Sequence, residues 1–460
     1  MEYTLNIRLD AEYWHPSLIN LANQLQNNSI RLGDLIKHGY RVVYENTKIL
    51  PTDEVSSSSP KFLQAADIES PIINIEKSGN VSNDDWLRYE KGRVIQGEIL
   101  LEVKGNVKKV AIVPEDFPQM VLVSGTLYKF TVDDKVNKYF LAVYLSCNIG
   151  QKLKNRLISN IATPFISKSE LYEIPIPQLT SVFQDKIKET YLSLLNIRKE
   201  SEKVYKQAQT LLLSELGISN WHPKHQLTFI KNYSDTRSAE RIDAEYYQPK
   251  YEEIIKAIQS YSGGWQRLEN LVSVKKCLEV GSGEYLDEGI PFIRVSNLSP
   301  FEITEEKYIA EDLYQKIKQH QPNKGEILFS KDATPGIAYY LNETPQKMIP
   351  SGGILRLKLT SDRVNNECLT LVLNSILTRE QVKRDVGGSV ILHWRPDQVK
   401  ATAIPILPQS KQTEIQQKVT ESFELRKRSK HLLECAKRAV EIAIEQDEQT
   451  AIDWLETATQ

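Results

Sequence analysis

Asp85, Glu102 and Lys104 are the residues of this 460-residue sequence that most resemble hydrolytic machinery. An acid followed by "EVK" on a stretch with strand character is the set with which metal-dependent nucleases hold a divalent cation and activate water. In a chain that is 26% charged, acid, acid and lysine also fall at such spacing by chance. "HPKH" at His222 to His225 has ligand-like spacing but lacks a second ligand pair, so it reads as a turn. No GxxxxGK[ST] phosphate loop is present, and Gly281, Gly283, Gly352, Gly353, Gly387 and Gly388 sit in turns without a following lysine. The [DNS]PP[YFW] tetrapeptide with which amino-methyltransferases grip a flipped base is missing too. The sequence therefore reads as non-catalytic, with no cofactor and no metal.

What would position such residues is a repeated unit. "RLDAEYWHP" at Arg8 returns as "RIDAEYYQP" at Arg241, 233 residues later. "FLQAADI" at Phe62 answers "FIRVSNL" at Phe292, and "GEILLEV" at Gly97 answers "GEILFSK" at Gly325, at offsets of 230 and 228. "VSGTLYKFTV" at Val123 pairs with "PSGGILRLKL" at Pro350, "NKYFLAVYLSCN" at Asn137 with "NECLTLVLNSIL" at Asn366, and "EIPIPQL" with "AIPILPQ". Blocks in one order at one offset indicate a tandem duplication. The nuclease-like acid and lysine then face Ser330 and Asp332 in the other copy, which weakens the hydrolytic reading.

Each copy ends in a long stretch free of Gly and Pro, from Thr180 to Leu216 and from Gln409 to about Glu448, with Gly217 as a C-terminal cap on the first. Ile187, Tyr191, Leu194, Arg198, Ser201, Tyr205, Ala208 and Leu212 alternate steps of four and three, as do Val419, Ser422, Arg426, Ser429, Leu433, Ala436, Val440 and Ala443. That spacing is a coiled-coil seam with a polar middle. A helix of that length, ~55 Å, must bury its stripe, and an antiparallel partner would bring Arg198 and Ser201 to Arg426 and Ser429.

The expected fold class is α+β: two strand-rich domains in tandem, each followed by a long helix, the helices pairing as an antiparallel coiled coil. The expected boundaries are 1–178 and 241–408 for the strand-rich domains, 179–217 and 409–448 for the helices, 218–240 for a linker and 449–460 for a tail. With Lys+Arg 58 against Asp+Glu 60, bulk charge names no partner, and a basic face can exist without a basic total. Cys147, Cys277, Cys368 and Cys435 are scattered, and neither a signal peptide nor 18 uninterrupted apolar residues occurs, so the expected setting is the cytoplasm, with no membrane contact.

The order of blocks resembles the specificity subunit of type I restriction-modification systems, most closely in "YLDEGIPFIRVSNL", "NKGEILFSKDATPGIAYY", "SGGILRL" and "GGSVILHW". The resemblance implies a subunit that reads double-stranded DNA while others act on it. Each recognition domain would read one half of a split target. The helices would dock two methyltransferase subunits, and restriction-translocase subunits are further partners the family allows. The repeated opening stretch then reflects one chain imitating a dimer. The alternatives are a nuclease or fused restriction-modification enzyme, which would cut DNA with Mg²⁺ or bind S-adenosylmethionine alone, and a structural adaptor that never touches DNA.

A reader needs Arg, Lys, Asn and Gln on loops for base edges and cations nearby for phosphates. In the first half the candidates are Arg41, Asn46, Lys48, Gln64, Asp67, Lys104, Lys108, Lys109, Asn160 and Thr163. In the second they are Ser282, Tyr285, Arg294, Asn297, Lys331, Asp332, Ser389, His393 and Arg395. For subunit docking through the coil they are Ile187, Tyr191, Leu194, Leu212, Val419, Leu433 and Val440.

Overall fold

The computed structural model describes residues 13–26, 28–42, 47–51, 54–159, 163–387 and 391–459. They fold as two compact units, one of residues 1–198 with 427–460, the other of residues 199–426.

In the first unit, β1 (Ile36–Arg41), β2 (Ile99–Glu102), β3 (Val110–Ile112) and β4 (Leu127–Val132) form an antiparallel sheet in the order β1-β4-β2-β3. In the second, β5 (Val272–Lys276), β6 (Glu326–Ser330), β7 (Ala338–Tyr340) and β8 (Ile354–Leu359) give the order β5-β8-β6-β7. The topology is the same in both. Central strands β2 and β6 are buried on both faces, which explains their runs "ILLE" and "EILFS" where a half-exposed strand would alternate.

The duplication extends to single atoms. Lys129 and Glu98 form an ion pair of 2.7 Å inside the first sheet, and Arg356 grips Glu326 with two bonds of 2.8 and 3.0 Å inside the second. Asn137 caps the helix Lys138–Ser146 and donates its own backbone N–H to Gln184 Oε1 at 2.8 Å; Asn365 caps Asn366–Asn374 and donates to Gln412 Oε1 at 2.9 Å. Both pairs are 228 residues apart, so each domain is tied to the start of its own spacer helix by the same hydrogen bond.

The spacer helices are α1 (Ser181–Glu215) and α2 (Gln409–Glu445), followed by α3 (Glu448–Ala458). Gly217 takes φ +68° just past α1, a conformation that would strain any residue with a Cβ. Within the first unit, Leu194 packs with Leu432 and Leu433, and Ser429 Oγ donates to Leu194 O at 2.9 Å. Within the second, Ser201 Oγ donates to Ser422 O at 2.8 Å, Ser422 Oγ to Ser201 O at 2.9 Å, and Lys418 reaches Gln207 at 3.0 Å. One index rises as the other falls, so the helices run antiparallel.

Serines close the polar middle, each answering a backbone carbonyl across the seam. Arg198 ion-pairs with Glu69 at 3.1 Å, and Arg426 lies 3.6 Å over the Phe301 ring, so each guanidinium also reaches the strand-rich domain of its own unit. No helix among the described residues is long and apolar enough to cross a membrane.

Candidate nucleic-acid interface

The β2–β3 hairpin of the first unit is built around the carboxylate taken above for a metal ligand. Glu102 is buried and accepts the backbone N–H groups of Lys108 and Lys109 at 3.0 and 3.2 Å. Beneath the loop, Lys154 is fully buried and donates from Nζ to Val107 O at 2.9 Å, while Gln151 Nε2 donates to Lys108 O at 2.9 Å. Burial draws the Lys154 ammonium down to about 7, against the opposing pull of Glu102. A loop so held presents Lys104, Asn106 and Lys108 to solvent. Beside it, Phe165 bridges Lys104 and Ser159, and the Arg41 guanidinium stacks on the Phe165 ring at 4.4 Å while donating to Gly125 O at 2.8 Å. Partial burial lowers the pKa of Arg41 from its ordinary value.

The β6–β7 hairpin of the second unit is anchored at the same place by a different group. Ser330 Oγ accepts from Ile337 N at 2.9 Å and donates to Thr334 O at 2.6 Å. Ser330 and Ile337 lie 228 residues beyond Glu102 and Lys109. This loop exposes Ala333, at φ +56°, and Thr334. Lys331 pairs with Asp332, whose other oxygen meets His393 Nδ1 at 2.8 Å. The returning segment is bridged from Gly387 to His393 and from Asp332 to His393, matching the bridges of Phe165 in the first unit. Trp394 is turned inward against Phe329, and Ile391 and Leu392 are turned out.

Residues 264–434 match the family described as the type I restriction modification DNA specificity domain. The second copy of the duplicated unit thus carries the type I restriction-modification specificity domain. The first strand-rich domain lies outside that match and has the same sheet order. Among solved structures it is similar to the S subunit of a type I restriction-modification system from M. genitalium, at 14% identity over 94% of this chain and 96% of that one, with a TM-score of 0.34. It is also similar to the HsdS subunit from Thermoanaerobacter tengcongensis, at 14% identity over 94% and 95%, with a TM-score of 0.27. No match was found among curated proteins.

The candidate readers separate into groups. Arg41 and Lys104 meet at Phe165 in the first unit, with Lys108 exposed on the same hairpin loop as Lys104, and Lys331 and His393 gather on Asp332 in the second. Lys48, Ser282 and Arg395 are exposed, Arg395 beside Asp397 at 3.3 Å. Tyr285 is half-buried against Phe292, and Arg294 is held by Glu306 at 2.6 Å. Asn46, Asn160 and Ser389 lie outside the described residues.

Three expectations are corrected. Asn297 is no base reader: it is 2% exposed, accepts Arg294 N at 3.1 Å and reaches Thr304 at 3.3 Å, closing a capping box that Gln64 and Asp67 repeat in the first unit. Lys109 turns back to Ala65 O at 2.8 Å. The coil residues Ile187, Tyr191, Leu194, Leu212, Val419, Leu433 and Val440 are all buried inside the chain, Leu194 against Leu433 and the others in the cores of the two units, so a docking subunit would meet other faces.

The nuclease-like string is likewise spent on structure. Asp85 sits in the first turn of the helix Asn83–Arg88, Glu102 holds its loop, and no cluster of three potential metal ligands occurs among the described residues. Sequence reasoning passed over Ala333, Thr334, Ile391 and Leu392. Their signal was position: each flanks a hairpin tip in the repeated frame.

Proposed function

We propose that this chain is the non-catalytic DNA-recognition subunit of a type I restriction-modification complex, each strand-rich domain reading one half of a bipartite target. The observation that carries this reading is the twice-built hairpin. An identical frame, anchored by Glu102 in one copy and Ser330 in the other, presents different side chains at its tip. That is what two readers of unlike half-sites require. The recognition domains are taken as residues 1–178 and 241–408, the spacers as 179–217 and 409–448, the linker as 218–240 and the tail as 449–460. Two methyltransferase subunits dock on the outward faces of the spacers, restriction-translocase subunits join them, and the complex works in the cytoplasm. Lys104, Lys108 and Arg41 act in the first reader, and Lys331, His393 and Arg395 in the second. Phosphate contacts by the cations set affinity, and base contacts at the hairpin tips set sequence.

The test is binding by the chain assembled with its methyltransferase subunits to duplexes carrying the host's methylated motif and to scrambled duplexes. Tight, salt-dependent preference for the motif is expected, and the chain alone with Mg²⁺ should leave DNA uncut. Cleavage by the chain alone, or equal binding to every duplex, would contradict the reading.

A further inference from the structure

Ile391 and Leu392 are 52% and 41% exposed, although hydrogen bonds tie the described backbone around Leu392. Leu392 O accepts Ala333 N at 2.9 Å, Gly387 and His393 exchange bonds of 3.2 and 2.8 Å, and Trp394 N donates to Lys331 O at 2.8 Å. The next side chain, Trp394, is 1% exposed. This segment has access to a core and uses it for the indole, while two branched aliphatics are held in water beside the exposed Ala333.

Such a display has a use if something apolar comes to it. Among the described residues the patch is three side chains wide, too narrow for the apolar centre of a stable protein interface. Lys331, His393 and Arg395 rim it, which suits a polyanion. Next to it stands Asp332, an acceptor. The minor-groove edge of an A·T pair shows only acceptors and would repel a carboxylate, whereas the major groove offers the amino donors of adenine and cytosine. The apolar group on a major-groove edge is the C5-methyl of thymine.

We propose that Ala333, Ile391 and Leu392 form a contact for a thymine methyl in the major groove, so that the half-site read by the second unit contains an A·T pair at a fixed position. The inference rests on the DNA-reading role proposed above. Among the described residues the first unit differs at this place: Thr163 and Pro164 stand where Ile391 and Leu392 stand, and Lys104 and Asn106 replace Asp332 and Thr334.

The experiment is competition binding by the methyltransferase-bound chain, with each thymine of the target replaced in turn by deoxyuridine. The wild type is measured against an Ile391→Ala, Leu392→Ala chain. One replacement, in the second unit's half-site, should weaken the wild type about fourfold, the worth of one buried methyl. The same replacement should leave the double variant unchanged. Three outcomes overturn the contact: specific binding indifferent to every deoxyuridine, a double variant that keeps the wild-type sensitivity, or a half-site without an A·T pair. A wedge into a base step would show as deoxyuridine indifference with a 2-aminopurine brightening on binding, and overturns it as well. Equal binding to motif and scrambled DNA would remove the DNA-reading role itself, and the contact with it.

Discussion

Glu102 and Ser330 stand at one place in two copies of a hairpin and do one task with different atoms, accepting the backbone N–H of the residue seven positions on. Around them the substitutions go in pairs. Lys154 supports its loop by a hydrogen bond to Val107 O, whereas at the same position of the second copy Val382 supports the loop by packing under Gly336. The short hairpin closed by Ile68 with Ile73 in one copy, and by Leu298 with Ile303 in the other, meets the long helix of its unit through Glu69 and Arg198 in the first and through Phe301 and Arg426 in the second. The contact site is kept and its chemistry is exchanged, from ion pair to cation–π. The two frames thus place their hairpin tips alike while the tips differ: cationic at Lys104 and Lys108, aliphatic and mixed at Ala333, Ile391 and Asp332.

The largest effect that can break this comparison lies in the buried ion pairs. Removing Glu326 leaves a guanidinium that cannot shed its proton in the middle of a sheet, and Glu326→Ala should cost about 3 to 5 kcal/mol. Glu98→Ala leaves Lys129, and because an ammonium deprived of its partner can lose its charge, the cost should be smaller. Urea denaturation of both variants checks the order. Losses below ~1 kcal/mol in both would mean that the pairs do not hold the frames.

An intermediate effect concerns the tips. Lys104→Ala with Lys108→Ala should lower the slope of log affinity against log salt by about 0.9 for each phosphate no longer neutralised, while Thr334→Ala on the other tip should leave it unchanged. Binding isotherms at four salt concentrations separate these. Equal slopes for both variants would erase the proposed difference between cationic and aliphatic tips.

A further effect is a pH dependence that only the first copy should have. Lys154 is held at about 7 in the folded protein, whereas an unfolded lysine keeps its proton to about 10.5. Between those values the unfolded chain binds more protons, so stability should rise from pH 7 toward 10 and stay flat below 7. Lys154→Met should remove the rise. A wild type and variant whose stabilities change in parallel from pH 7 to 9.5 would contradict the assignment.

The duplication was legible because the repeat preserves order and offset, and the seam because steps of three and four mark one face of a helix whatever its partner. Asn297 was misread because a capping side chain and a base-reading side chain are the same residue type beside the same strand; only burial tells them apart. Glu102 was open to misreading for a related reason, since the carboxylate and lysine spacing of a nuclease strand is also that of a hairpin whose loop amides need an acceptor. Ile391 and Leu392 were passed over because apolar residues next to Trp394 look like core. The direction of Arg198 and Arg426 depends on a loop more than a hundred residues away in sequence, which helical periodicity does not encode.

The central claim is that each copy reads its own half of the target, and competition binding with half-site-scrambled duplexes tests it most directly. The chain is assembled with its methyltransferase subunits and carries either Lys104→Ala with Lys108→Ala or Lys331→Ala with His393→Ala. The account predicts that the second pair relaxes discrimination at one half-site by about 1 to 3 kcal/mol per base contact and leaves the other half-site as it was, with any relaxation caused by the first pair confined to the opposite half. Variants of one copy that disturb both half-sites equally, or neither, would contradict it.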